Sequence, residues 1–161
     1  MNTITIQQLQ SDEWKIFKNV RLEALKQNPG VFKEKYEEAS TYHDSYWEEK
    51  LSAPHRIFLV ARDREKYIGL AGAAPSNREE NMAIIMRVSV DKEHRGKGIG
   101  KMLMKELLSK ITVMPEVKTL KLWVEKDNIP AYNLYKGLGF EIIGEETYND
   151  METFVMIKSN Q

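Results

Sequence analysis

The densest concentration of chemically useful residues is Val88-Ser89-Val90-Asp91-Lys92-Glu93-His94-Arg95-Gly96-Lys97-Gly98-Ile99-Gly100-Lys101. An apolar stretch ending at Val90 gives way to three closely spaced glycines, and helical periodicity begins at Ile99. Glycines let a chain bend tightly and let a ligand approach the main chain unobstructed. The unpaired N–H groups of a helix start, at the positive end of the macrodipole, attract anions. Arg95, Lys97 and Lys101 add positive charge. The chemistry is that of a phosphate or pyrophosphate site.

Two common phosphate motifs fail on particular residues. A Walker A loop needs Gly, four residues, then Gly-Lys-Ser/Thr. Here Met102 follows Gly100-Lys101, and Arg95 stands where the first glycine belongs. The dinucleotide pattern Gly-x-Gly-x-x-Gly fails because Lys101 occupies the third glycine position. Other chemistries are also excluded. The chain has no cysteine, which removes disulfides, thiolate metal sites and a cysteine nucleophile. His43, His55 and His94 are too scattered for a histidine metal pair, so no metal is expected, and each reads as a surface or structural residue. No serine sits in a Gly-x-Ser-x-Gly turn.

The spacing that fits is Arg-x-x-Gly-x-Gly, at Arg95, Gly98 and Gly100. Further on, Asn128-Ile129-Pro130-Ala131-Tyr132-Asn133-Leu134-Tyr135-Lys136-Gly137-Leu138-Gly139-Phe140 matches Asn-x-x-Ala-x-x-Leu-Tyr-x-x-x-Gly-Phe. With these two motifs in this order, the chain resembles the GNAT superfamily of acyl-CoA-dependent N-acyltransferases. The likeness is sharp from Met82 to Phe140 and architectural elsewhere.

The resemblance implies an acetyl-CoA donor in a cleft where two parallel strands splay, here Met82 to Val90 and Thr119 to Val124. The pyrophosphate would rest on the backbone of Gly96, Lys97, Gly98, Ile99, Gly100 and Lys101, beside Arg95. Val88, Ser89 and Val90 would pair with the pantetheine arm as an added strand. An N–H near Val90 is the implied oxyanion donor, and Tyr135 the implied general acid. Asn128 caps its helix, touches CoA, or does both. Some branches of the family carry a glutamate in the strand before the glycine turn, but Ala83-Ile84-Ile85-Met86-Arg87-Val88 contains no carboxylate. Glu125, at the mouth of the implied splay, is the alternative base, or an exposed loop carboxylate. The expected activity is acetyl transfer to a primary amine. The competing class is an acyl-CoA sensor that binds without chemistry. The resemblance is also compatible with a homodimer.

For the acceptor, the segment Glu34 to Glu49 holds Glu34, Glu37, Glu38, Asp44, Glu48 and Glu49 against Lys35 alone. Glu145, Glu146, Asp150 and Glu152 follow in a late segment without a basic residue. Negative potential in a cleft would draw a cationic or peptidic amine, although solvated helix faces would carry the same residues. Phe32, Tyr36, Trp47 and Tyr148, together with Tyr42 and Tyr46, are candidate walls or cation–π faces.

These residues need elements to hold them. Thr3 to Ile6 reads as a short strand; Ser11-Asp12-Glu13 reads as a helix start with an N-cap hydroxyl, running to Pro29-Gly30. A second helix is predicted over Asp44 to Leu51, then strands over Arg56 to Ala61 and Tyr67 to Ala74 as a hairpin. Met82 to Val90 is a strand whose apolar run predicts burial on both faces. Ile99, Leu103, Leu107 and Ile111 mark an amphipathic helix, followed by a strand over Thr119 to Val124 and a short helix opened by Asn128. Strands over Phe140 to Ile143 and Thr153 to Ile157 close the chain. The order is β-α-α-β-β-β-α-β-α-β-β. The expected fold is an α/β (α+β) mixed, mostly antiparallel sheet with one parallel splayed pair, flanked by about four helices.

Length and composition agree. The chain's 161 residues suit one domain spanning 1–161. Lys plus Arg and Asp plus Glu are 24 each, a balance unlike that of a dedicated nucleic-acid binder. Apolar runs such as 57–61 and 82–86 are five residues, far short of a membrane span, so no membrane partner is expected. Residues 1–6 show no basic and apolar leader pattern, and the lack of cysteine suits the cytoplasm.

Overall fold

The computed structural model describes residues 3–148 and 150–161. Met1 and Asn2 of the leader reading, and Asn149 within the late acidic segment, lie outside the described residues. In chain order the elements are β1 (Ile4–Gln8), α1 (Trp14–Gln27), α2 (Tyr36–Ala39), α3 (Asp44–Ser52), β2 (Ile57–Asp63), β3 (Lys66–Pro75) and β4 (Met82–Val90). After a 3-10 turn at Lys92–His94 come α4 (Ile99–Thr112), β5 (Thr119–Glu125), α5 (Ile129–Gly137), β6 (Glu141–Tyr148) and β7 (Met151–Ser159). One seven-stranded sheet runs β1-β2-β3-β4-β5-β7-β6. Its neighbours are antiparallel except β4 and β5.

The sheet is covered on both faces. Ile57, Leu59 and Ala61 of β2 pack with Ile99, Leu103, Leu107 and Ile111 of α4. Phe58 and Val60, which alternate with them, pack with Phe17 of α1 and Trp47 of α3. This two-sided burial explains the unbroken apolar run of β2, because strand side chains alternate faces and both faces are dry here. Each large side chain so buried contributes about 1.5–3 kcal/mol relative to exposure.

Four expectations need correction. β4 is not buried on both faces: Ala83 and Ile85 are buried, whereas Met82, Ile84 and Met86 are half-exposed. The reason is that β4 pairs with β5 only from Met82↔Thr119 to Ile84↔Lys121, after which the strands part. Secondly, Ser11 does not cap α1. The helix begins at Trp14 without a side-chain cap, and the Glu13 carboxylate instead accepts from the Gln10 N–H at 2.8 Å. Thirdly, an additional one-turn helix, α2, precedes α3. Finally, β6 runs on to Tyr148 and β7 begins at Met151, because their antiparallel register continues almost to the connecting turn, and β7 reaches Ser159 because it pairs there with Thr119 of β5.

Just beyond its last pair with β5, β4 is irregular. Leu70 of β3 pairs with Ser89 and Gly72 pairs with Met86, so β4 carries one extra residue opposite Ala71. This is a β-bulge. Arg87, within it, has φ of +56°, a left-handed conformation uncommon for a non-glycine residue. The bulge redirects Val88 to Val90 away from the sheet's regular course.

Candidate active site

The space opened between β4 and β5 is a cleft of about 710 Å³. Val88, Ser89 and Val90 form one wall, and Glu125 lies at the end of β5. The turn into α4 supplies Arg95, Gly96, Gly98, Ile99, Gly100 and Lys101. From the α5 side come Asn128, Pro130, Ala131, Leu134 and Tyr135. The segment after α1 closes it with Asn28, Val31 and Phe32. Lys97 is exposed at the tip of the turn and does not line the cleft.

The glycine turn has the expected conformation. Gly96 and Gly98 have φ of +77° and +79°, and a β-carbon on either would meet nothing within 4 Å. Backbone conformation, rather than lack of room, is therefore what requires glycine there. Gly98 caps α4 without a side chain. The first turn of α4 is closed by the Met102 N–H donating to the Gly98 carbonyl at 3.0 Å. The N–H groups of Ile99, Gly100 and Lys101 precede that bond and point outward at the helix's positive end. Arg95 is partly committed to architecture: its Nε donates to the Val90 carbonyl at 3.1 Å and its Nη2 to Asn28 Oδ1 at 2.5 Å. His94 is also committed, with Nδ1 3.0 Å from Asp91 Oδ2 and Nε2 3.5 Å from Asp63 Oδ2.

On the opposite wall, Asn128 caps α5, its Oδ1 accepting from the Ala131 N–H at 3.3 Å. Tyr135 is buried at 7% exposure yet reaches the cleft, and its hydroxyl makes no hydrogen bond among the described residues. Burial pushes its pKa far above the ordinary phenol value, so the hydroxyl is protonated. Glu125 is half-buried; burial, then the neighbouring Asp127, holds its carboxyl above the ordinary glutamate value. Such a shift suits a group that exchanges protons.

A second pocket of about 300 Å³ adjoins this cleft. Val31, Phe32 and Glu125 line both, so Glu125 stands where they meet. The second pocket is also lined by Arg21, Lys33, Glu34, Arg87, Trp123 and Thr153.

The aromatic residues expected to wall an acceptor site divide. Phe32 lines both pockets. Trp47 does not: it is fully buried in the core between α1 and α3, its ring 5.7 Å from that of Phe17. Tyr36 packs half-buried against the same core. Tyr148 is 47% exposed, with Lys33 Nζ 4.6 Å from its ring centre. The acidic excess also lies elsewhere. Glu37, Glu38, Asp44, Glu48 and Glu49 are exposed, and of that segment only Glu34 lines a pocket. Helix geometry turns these carboxylates to solvent, where hydration favours them.

Arg21, Arg87 and Asn28 were not singled out from the sequence. Arg21 had a legible signal, because it falls on the stripe Phe17, Arg21, Ala24 that faces the core. Arg87 had none, since the bulge that orients it depends on strand pairing. Among the described residues no group of three or more His, Asp or Glu side chains could hold a metal, and no helix is long and apolar enough to cross a membrane.

Comparison with known proteins gives a consistent result. The profile of the acetyltransferase (GNAT) family matches residues 9–140. N-acetylaspartate synthetase of Xenopus tropicalis is 34% identical over 94 residues, covering 58% of this chain and 34% of that protein. A probable spermine N(1)-acetyltransferase of Bacillus subtilis subsp. natto is 33% identical over 69 residues, covering 43% of this chain and 45% of that protein. The chain thus spans less than half the length of either relative. Among solved structures, yncA of Salmonella typhimurium with its cofactor acetyl-CoA superposes with a TM-score of 0.80 at 15% identity, covering 99% of this chain and 95% of that one. That likeness is one of fold.

Proposed function

The chain belongs to the acetyltransferase (GNAT) family, and from that premise we propose that it is an acetyl-CoA-dependent N-acetyltransferase acting on a primary amine by direct attack in a ternary complex. The observation that carries this reading is the junction of two pockets at Glu125, one beside the glycine turn and the other opening from it. A donor in the first and an amine in the second would meet at one point.

When bound, acetyl-CoA supplies an acyl group activated as a thioester. The backbone N–H groups from Gly96 to Lys101 hold the pyrophosphate, with Lys101 as counter-charge. Val88 to Val90 offer backbone groups to the pantetheine arm. An N–H near Val90 stabilises the negative charge that develops on the carbonyl oxygen. An amine resembling lysine has a pKa near ~10.4, so a base must remove a proton before attack. Glu125 takes that role, directly or through water. Tyr135, held protonated by burial, gives its proton to the departing thiolate. A buried phenol lining the cleft supports an enzyme over a sensor that only binds.

The acceptor classes the sequence brings forward are a small cationic amine and a peptide or protein amine. The names of the relatives cover spermine and aspartate, so the class is an amine, and the particular one depends on the second pocket.

The test is thermal unfolding with acetyl-CoA, CoA, ATP and NAD in parallel, followed by thiol release from acetyl-CoA across an amine panel. Ligand at about 100 times Kd adds ~2.7 kcal/mol, roughly 5–11 °C for a domain of this size. A shift with acetyl-CoA and CoA, plus amine-dependent thiol release, is expected. A shift without release from any amine is the sensor's result, and no shift with either ligand at millimolar concentration overturns both.

A further inference from the structure

In the second pocket, cationic groups outnumber carboxylates: Arg21, Lys33 and Arg87 face Glu34 and Glu125. The two guanidinium groups are not surface charges. Arg21 is 4% exposed and Arg87 is half-buried. They share one carboxylate. Arg21 Nε donates to Glu34 Oε1 at 3.0 Å, while Tyr46 Oη donates to Glu34 Oε2 at 3.4 Å and accepts from Arg87 Nη2 at 3.3 Å. That relay leaves Nη1 of Arg21 and Nη1 of Arg87 buried with no hydrogen-bond partner among the described residues.

Native proteins rarely leave such donors bare, because an unmade bond to a buried charged group carries its full desolvation penalty. Burial, then the charge of Arg87, lowers the pKa of Arg21 to about 10. Aromatic faces fix both groups: Arg21 lies 4.7 Å from the Phe32 ring centre, and Arg87 lies 5.4 Å from that of Phe17. Arg87 is held there at positive φ, in the bulge of β4. A guanidinium presents its N–H groups as a planar fork suited to a carboxylate. An anion of that shape in the pocket would neutralise the surplus charge, and the covered Nη1 of either arginine would have to turn toward it to complete the fork.

We propose that the acceptor amine also carries a carboxylate, which the guanidinium groups of Arg21 and Arg87 bind while the amino group is directed to Glu125. The substrate class is an amino acid or a short peptide with a free carboxylate, and a polycationic amine is disfavoured by like charge. This rests on the acetyl-transfer reading for the amine, but the carboxylate site itself does not.

The experiment therefore has two arms. In the first, thiol release from acetyl-CoA is measured with each of the twenty common amino acids, with its α-carboxamide, and with spermine and spermidine. In the second, N-acetyl amino acids and their amides are titrated into the protein by calorimetry in the presence of CoA. Acids are expected to exceed their amides by about 10- to 100-fold in kcat/KM, mostly through KM, and by a similar factor in affinity. Arg87→Gln should remove the preference, and Arg87→Lys should restore part of it. Selective binding of the acids without turnover would sustain the carboxylate site while ending the acetyl-transfer reading. Equal use or equal binding of acids and amides, or preference for the polyamines, overturns the proposal, and the wild-type protein alone can give that answer.

Discussion

Gly100 lies against Leu134, so that a β-carbon built on it would sit 3.3 Å from Leu134 Cδ2. The two residues belong to α4 and α5, and both line the cleft. Gly100→Ala and Gly98→Ala should therefore behave differently. Leu134 is half-buried beside open space and can yield, and alanine favours the helix, so Gly100→Ala should leave Tm nearly unchanged. Its methyl would cover the N–H groups of the helix start and weaken acetyl-CoA binding by about tenfold, ~1.4 kcal/mol. Gly98→Ala imposes a β-carbon at φ of +79° and should cost about 1–2 kcal/mol of stability. Paired denaturation and calorimetry separate the two effects.

Tyr135→Phe tests the acid. The lost hydroxyl makes no hydrogen bond among the described residues, so stability should change little. In steady-state kinetics kcat should fall ~10²–10⁴-fold while CoA affinity is kept. Unchanged turnover would remove Tyr135 from the chemistry.

Glu125 gives a pH signature. A base works deprotonated, so activity is lost as pH falls through its pKa, which burial and Asp127 hold above the ordinary glutamate value. The acidic limb of kcat/KM should lie correspondingly high. Asp127→Asn removes one of the two causes and should move that limb to lower pH, while Glu125→Gln should abolish it. A limb that ignores both substitutions assigns the base elsewhere.

Asp91 should link the glycine turn to acid stability. Burial opposes its ionisation, but hydrogen bonds from Gln27 and His94, with the charge of Lys66, outweigh it and lower the pKa. Its contribution is therefore complete above the unfolded value near ~3.9 and is lost as pH falls through the folded one. Denaturant midpoints taken from about pH 6 to pH 3 should fall in the wild type and fall less in Asp91→Asn.

Much of this molecule could be read in one dimension. Helix α4 follows from the spacing of Ile99, Leu103, Leu107 and Ile111, which all prove buried. The glycine turn follows from residue type, since positive φ at Gly96 and Gly98 is a local property. Asn128 and Pro130 announced the start of α5 in the same way. Periodicity, caps and turn residues act over a few neighbours, so the sequence states them directly.

What tertiary structure alone decided depends on which distant residues meet. The bulge at Arg87 exists because β3 and β4 pair out of step, and the cleft exists because β5 leaves β4 after Lys121. Trp47 and Phe32 are both aromatic residues near acidic ones, yet one fills a core and the other lines both pockets. The acidic count between Glu34 and Glu49 suggested a negative pocket, whereas Arg21 from α1 and Arg87 from β4 give it a positive surplus. Local charge along a chain does not sum to the charge of a cavity, because a cavity collects side chains from separate elements and burial sets how strongly each is felt.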